Sequence, residues 1–375
     1  MIVADYIVPF DLDEVKANFQ KGSIADTMLF STGMERIEDL PLGSIVLFFI
    51  EKATCDAFAK GVVSALGALY SSCKSSQAIM LGNLITSGND AYNAETFSEL
   101  VVNLQKGGHF PVAITSSSFY IPYFCEILGE QQNLGISLIT SSFNSCYANG
   151  KPTIFSEVKQ GLKNNVSGFS ILGYQNYFTS PDSEKNLEGL YLQKVRLGAL
   201  RKSMRIAEAA MRDSNILFVD SNALRRSDFT AAASQSPNGM YAEEYCQLMR
   251  YAGFSDKLNG LYIGGFDLSN GTNAADEMLI AQGIWHFFEG YSSRKQEIPA
   301  VVDFPSKQFF VELGEQQPVT LHFMQSIATE RWWLFIPNGE HNGCWIACDE
   351  DDYEKAKHHE LPYRWIVAQN IFRGK

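Results

Sequence analysis

The sequence predicts an α/β protein, a mostly parallel sheet with helices on both faces. Short apolar runs bounded by Gly, Ser, Asn or Asp alternate with longer helical stretches, the pattern of strands buried on both sides. Hydrophobic residues make up 46%, aromatics 13% and charged residues 19% of 375 residues, which suits a globular chain with a substantial core. No segment repeats at a period of about 20 to 50 residues, which excludes solenoids and propellers.

In chain order, the apolar runs predict strands at Ser44 to Ile50, Gln77 to Leu81, Phe110 to Ile114, Gly135 to Ile139, Gly168 to Leu172, Ile216 to Val219 and Leu258 to Ile263. Helices are expected between them, over Asp56 to Tyr70, Ala94 to Gln105, Gln193 to Met211, Ala242 to Ala252 and Ala274 to Gly290. Within the last, Met278, Ala281, Trp285 and Phe288 fall at helical spacing and form an apolar stripe. Asn273 signals its start, and Gly253 signals the end of the helix before it.

Beyond Pro299 the texture changes. Phe309 to Leu313, Val319 to Phe323 and Arg331 to Leu334 alternate as strands do, and no further strand-helix unit follows. Asp349-Glu350-Asp351-Asp352 opens a final helix, its acids complementing the helix dipole. The aromatic pair Trp332-Trp333 reads as core.

A net charge of −12 has the wrong sign for partners recognised through phosphates or anionic headgroups. The densest basic group, Arg196, Arg201, Lys202, Arg205 and Arg212, fits one solvated helix face interleaved with Glu208 and Asp213. The longest apolar run, Leu42 through Ile50, is far short of the ~20 residues of a membrane span. The first residues lack the basic start of a signal peptide, so the expectation is a cytoplasmic protein without nucleic-acid or membrane partners. Seven scattered cysteines read as reduced thiols, and the sequons at Asn165 and Asn270 carry no consequence in that compartment.

Several segments, in their order, carry a resemblance. They are Leu81-Gly82-Asn83-Leu84 with Gly88, Gly173 to Phe178, Arg196-Leu197-Gly198, Ser236-Pro237-Asn238-Gly239, and Glu243 to Cys246 running into Arg250 to Lys257. Ile284-Trp285 to Glu289-Gly290, Arg331 to Trp333 and Asp352-Tyr353 to Trp365 continue the series. Together the segments span roughly residues 70 to 370. On them the chain resembles the ureohydrolase superfamily of arginase, agmatinase and formimidoylglutamase, and within it the formimidoylglutamase-like branch. The resemblance implies a three-layer α/β/α domain, arginase-like, with about eight strands over residues 1–300 and a C-terminal extension over 301–375 packed on it. It also implies a homo-oligomer, and two Mn ions at the strand ends bridging a hydroxide that attacks a guanidinium or formimino carbon.

That chemistry needs several carboxylates and imidazoles in one pocket. At the first ligand motif this chain has Thr115-Ser116-Ser117-Ser118, with Ser118 at the histidine position. The Asp-x-His-x-Asp motif falls on Thr140, Ser142 and Asn144. The Asp-x-Asp motif falls on Asp220 and Asn222, with Asp228 downstream, and the later region offers no acid until Asp267. Asp220 is thus the one ligand position of six that keeps its acid. The expectation is no binuclear Mn site, no cofactor and no catalytic residue, with the polar replacements leaving a hydrogen-bonded pocket. Thr115, Ser117, Arg225, Asp228 and Asp267 complete the candidate ligand pocket, Arg225 and Arg226 beside Asp228 being read as an anion-binding loop or a surface ion pair.

Other constellations read as structure. Gly107-Gly108-His109 precedes its strand and is a turn. Cys344, Cys348, His358 and His359, with His341, lack the paired spacing of a zinc site. His286 has no partner that the sequence names, and nucleophile elbow, phosphate loop and dinucleotide fingerprint are absent. The leading expectation is a catalytically degenerate scaffold that binds a small polar ligand, a protein partner or its own subunits. The competing one is an amidine hydrolase in which Asp220, Asp228 and Asp267 converge on one Mn ion.

Overall fold

The computed structural model describes residues 2–373 except 18, 51–55, 71–77, 130–133, 145–151, 162–165, 182, 184–190, 235, 270, 272, 300, 315–318 and 339–341. Its strands are β1 (Ile7–Val8), β2 (Leu29–Phe30), β3 (Ile45–Phe49), β4 (Ala78–Leu84), β5 (Phe110–Ile114), β6 (Leu134–Ile139), β7 (Val166–Tyr174), β8 (Tyr191–Arg196), β9 (Ile216–Asp220), β10 (Gly260–Gly264), β11 (Ser306–Leu313), β12 (Val319–Ser326), β13 (Trp332–Asn338) and β14 (Asn342–Cys348). All seven predicted strands of the central sheet are present.

Strand β3 explains why such runs form a two-sided sheet. Ile45, Leu47 and Phe49 pack into one hydrophobic cluster while Val46 and Phe48 pack into another on the opposite face. The first cluster is completed by helices Asp56–Leu66, Arg205–Arg212, Ala242–Phe254 and Ala274–Tyr291. Helices Asp90–Lys106, Ile121–Leu128 and Ile154–Gly161 cover the second. Order across the sheet is β1-β4-β3-β5-β10-β9-β6-β7-β8, with β2 also paired to β4. Every pairing is parallel except that of β1 with β4. The chain repeatedly skips over strand positions and later fills them from within, which brings the ends of β5, β10, β9 and β6 side by side.

A second sheet, antiparallel and in the order β11-β12-β13-β14, forms from the C-terminal residues. Phe309, Leu321, Phe323, Trp332, Leu334 and Ile346 pack on one side of it with Tyr353 and Ala368. Trp333 is buried on the other side beneath the Arg212 guanidinium. Both tryptophans of the pair are core.

The structure corrects four expectations. Residues 193–196 belong to strand β8 and not to a helix; helices Leu197–Lys202 and Arg205–Arg212 follow it. The basic group is therefore no single solvated face, since Arg212 is buried and ion-paired to Glu208 at 3.2 Å. Gly253 ends no helix: Ala242–Phe254 continues past it, and its Cα lies where helix Ala274–Tyr291 crosses. The acidic helix Glu350–Lys357 is not the last, because Tyr363–Arg373 follows and lays Arg364 against β8, donating to Gln193 Oε1 at 2.8 Å. In the predicted stripe Ala281 and Phe288 are buried, whereas Met278 and Trp285 are half-buried at its margin.

Among the described cysteines Cys125, Cys246, Cys344 and Cys348 are free thiols, while Cys55, Cys73, Cys146 and the sequon residues Asn165, Asn270 and Thr272 lie outside the described residues. No helix among the described residues is long and apolar enough to cross a membrane.

Candidate functional site

The ends of β5, β6, β9 and β10 are the edge on which open parallel sheets bind ligands. Asp220 closes β9, is 2% exposed, and caps the turn Ser221–Ala223 with its own carboxylate. Asp220 Oδ1 accepts from the Asn222 backbone N–H at 3.0 Å and from Asn222 Nδ2 at 2.7 Å. The other oxygen, Oδ2, accepts from Thr140 Oγ1 at 3.0 Å across from the end of β6.

Neighbouring groups lock this knot. Asn222 Nδ2 also donates to Gly265 O at 3.2 Å, and Asn222 Oδ1 accepts from the Ser234 N–H at 2.5 Å. Ser221 Oγ donates to Gly264 O at 2.7 Å. Gly265 has φ +82°, and a Cβ there would fall 2.3 Å from Asp220 Oδ1. The turn after β10 thus lies directly against the carboxylate, an approach that only glycine permits.

The remaining positions of the motif turn to other tasks. Thr140 Oγ1 lies 2.8 Å from Ser142 O, and the Ser142 N–H returns to Thr140 Oγ1 at 3.4 Å. Asn144 bonds elsewhere than Asp220: its Nδ2 donates to Phe178 O, and its Oδ1 accepts from the Ser180 N–H at 2.7 Å and from Ser183 Oγ at 3.2 Å. It pins the segment after β7. Thr115 Oγ1 donates to Ile50 O at 2.7 Å and accepts from the Ser117 N–H at 3.0 Å. The Ser117 carbonyl accepts from Tyr262 Oη, and Ser118 O accepts from the Ile121 N–H at the start of helix Ile121–Leu128. These bonds, made by the Thr115 hydroxyl and by the Ser117 and Ser118 carbonyls, hold a turn closed.

Arg225 and Asp228 do not form an open anion loop. Their side chains meet at 2.6 Å, and Asp228 Oδ2 accepts from the Ala242 N–H at 3.0 Å, capping helix Ala242–Phe254. Burial alone would raise the Asp228 carboxyl, but hydrogen bonds from Arg225, the Ala242 N–H and Ser227 hold it below the ordinary carboxylate range. Arg225 also lies over the Tyr241 ring at 4.3 Å. Asp267 is exposed and accepts from the Ser269 N–H. Asp220, Asp228 and Asp267 therefore do not converge, and among the described residues no three His, Cys, Asp or Glu side chains are grouped to hold a metal. His341 of the C-terminal constellation lies outside the described residues, while Cys344 and Cys348 pack in the core of the second sheet.

An open cleft of about 320 Å³ lies beyond the ends of β7 and β8. Tyr174, Asn176, Thr179, Ser180, Pro181 and Arg196 line it. Sequence reasoning placed Arg196 on a solvated helix face and so missed it here. The available signal was its position at the end of a strand, hidden because β8 read as helix.

No known family model matches this sequence, and no curated protein sequence matches it. Solved structures do. Trypanosoma cruzi formiminoglutamase with Mn2+ is similar at TM-score 0.59 and 16% identity, over 70% of this chain and 96% of that one. Bacillus subtilis formimidoylglutamase gives TM-score 0.57 at 13% identity over 76% and 98%, and the agmatine ureohydrolase of Thermoplasma volcanium 0.55 at 16% over 76% and 100%. At these identities the likeness establishes the fold: this chain has an arginase-like fold, with formiminoglutamase among its structural neighbours.

Proposed function

We propose that this chain is an arginase-fold protein without a binuclear metal centre, acting as a binding or structural protein and not as an amidine hydrolase. The observation that carries this reading is the state of Asp220, whose two oxygens receive three hydrogen bonds from Asn222 and Thr140 in a buried position. A cation there would have to displace those donors and would gain a single charged ligand.

The donor set does not fit two Mn2+. Ser118, Thr140, Ser142, Asn144 and Asn222 are neutral, and one carboxylate does not offset the cost of stripping water from two dications. No group among these residues is positioned as an activated nucleophile or base, so the reading assigns no catalytic residue. The polar ligand that the sequence suggested is assigned to the cleft at Arg196 rather than to Asp220, whose oxygens are already engaged.

Metal analysis of the purified chain after loading with excess Mn2+, together with its melting temperature with and without Mn2+, tests the proposal. A ligand that binds the native state must raise its stability, by about 2.7 kcal/mol at a hundredfold excess over Kd. The expected outcome is no retained metal and an unchanged melting temperature. Two retained Mn2+ per chain with a clear stabilisation would overturn the proposal and restore the hydrolase reading.

A further inference from the structure

We propose that the C-terminal sheet pairs with a second copy of this chain along β11, extending both sheets into one across a two-fold axis at Phe310. Strand β11 pairs with β12 over all eight of its residues, without an irregularity, and is the end strand of its sheet. Its sequence, Ser-Lys-Gln-Phe-Phe-Val-Glu-Leu, has no proline, and Lys307 and Glu312 are its charged residues. Edge strands that must stay single are usually shortened, bulged, charged or covered. The outer edge of the large sheet illustrates covering, since helix Tyr363–Arg373 lies on β8 through Arg364.

The side chains of the small sheet point to the same partner. Phe310 stands opposite His322 in register and Phe335 opposite Trp345. Phe310 stacks on His322 with ring centroids 4.3 Å apart, His322 meets Trp345 at 4.8 Å, and Phe335 meets Trp345 at 5.3 Å. This row of rings crosses the sheet and stops at Phe310, which is 65% exposed.

Antiparallel pairing of β11 with itself requires the axis to stand perpendicular to the sheet, so that facing residues point to the same side and their numbers sum to an even value. Centred on Phe310, the pairing sets Phe310 against its copy, Phe309 against Val311, Gln308 against Glu312 and Lys307 against Leu313. The ring row continues through the axis. On the other face Phe309 and Val311, half-buried at the border of the C-terminal core, meet their counterparts. No like charges oppose each other, and one lysine with one glutamate makes the strip neutral, so the −12 of each copy is not concentrated at the contact. Centring on Phe309 instead would place Gln308 against Phe310 and break the row.

The inference does not rest on the metal-free reading, so each stands or falls alone. Sedimentation of the full chain across a concentration series is expected to show a monomer–dimer equilibrium, with Phe310→Lys weakening it at least about tenfold while the melting temperature, compared at a concentration where both chains are monomeric, holds. Facing residues in an antiparallel ladder are about 4.5–5.5 Å apart at Cα, within disulfide reach. Phe310→Cys should therefore cross-link to its copy under mild oxidation far faster than Glu312→Cys or the unsubstituted chain with its own seven cysteines. A chain monomeric at every concentration, a dimer indifferent to Phe310→Lys, or equal cross-linking of the two cysteine variants would overturn the proposal.

Discussion

Truncating Asp220 to alanine would leave the Asn222 N–H, Asn222 Nδ2 and the Thr140 hydroxyl without their acceptor in a buried site. Buried donors left unpaired cost about 1–3 kcal/mol each, partly relieved where Asn222 Nδ2 keeps Gly265 O and Thr140 keeps Ser142 O. A loss of about 3 kcal/mol is expected for Asp220→Ala. Asp220→Asn keeps an oxygen toward Asn222 and offers an amide toward Thr140 Oγ1, so its loss should be nearer to about 1 kcal/mol. Urea denaturation of both variants, repeated with Mn2+ and with a chelator, measures these values. Equal small losses for both, or a wild-type midpoint that moves with the metal, would contradict the hydrogen-bonded role. Much of this was legible: the order of motifs located Asp220, Thr140 and Asn222 from sequence. What sequence did not give was the wiring, because Gly265 and Ser234 reach Asp220 and Asn222 only through folded loops, and because nothing in Asn144 itself says that its amide turns toward residues 178–183.

At the scale of elements, the crossing of helices Ala242–Phe254 and Ala274–Tyr291 depends on two glycines in contact. A Cβ on Gly253 would lie 2.2 Å from Phe287 O, and one on Gly290 would lie 2.2 Å from Arg250 O. Glycine inside a helix ordinarily costs about 1 kcal/mol relative to alanine, so an exposed Gly→Ala change would stabilise. Here the backbones must separate to admit the methyl, and Gly253→Ala is expected to destabilise by about 2 kcal/mol or more, as overpacking does. The sign of the change in urea midpoint decides it, and a gain in stability would refute the close crossing. The misreading of Gly253 as a helix end has this same cause, since a glycine selected by a neighbouring helix looks in sequence like one selected by a cap. Strand β8 was missed for a related reason. Gln193, Lys194 and Arg196 give it none of the apolar continuity of β5 or β9, because its position at the sheet edge leaves polar side chains to be satisfied, Gln193 by Arg364 from the distant C-terminal helix. The interior strands were legible because burial on both faces makes them predominantly apolar.

Over the whole molecule, the question is whether the two sheets unfold together. Arg331 at the start of β13 pairs with Glu208 at 3.0 Å and with Asp256 at 3.5 Å, both on the α/β side, while Arg212 pairs with Glu208 and donates to Cys348 O at 2.8 Å on β14. Asp213 accepts from the Ala347 N–H at 2.6 Å. Breaking a buried pair by removing one partner costs about 3–5 kcal/mol, because the remaining charge is stranded. These ties join the C-terminal sheet to the α/β side, and the two are expected to unfold as one cooperative unit. Four of the five tryptophans, Trp332, Trp333, Trp345 and Trp365, report on the C-terminal residues, whereas far-UV circular dichroism is dominated by the helices around the large sheet. In the unsubstituted chain the two signals should therefore change at the same urea concentration, the mark of a two-state transition. Arg331→Met leaves Glu208 and Asp256 without that cation, loosening the C-terminal sheet first. The fluorescence transition of this variant is expected to move below the dichroism transition, and coincident curves in it, or separated curves already in the parent chain, would show that the ion pairs do not couple the sheets.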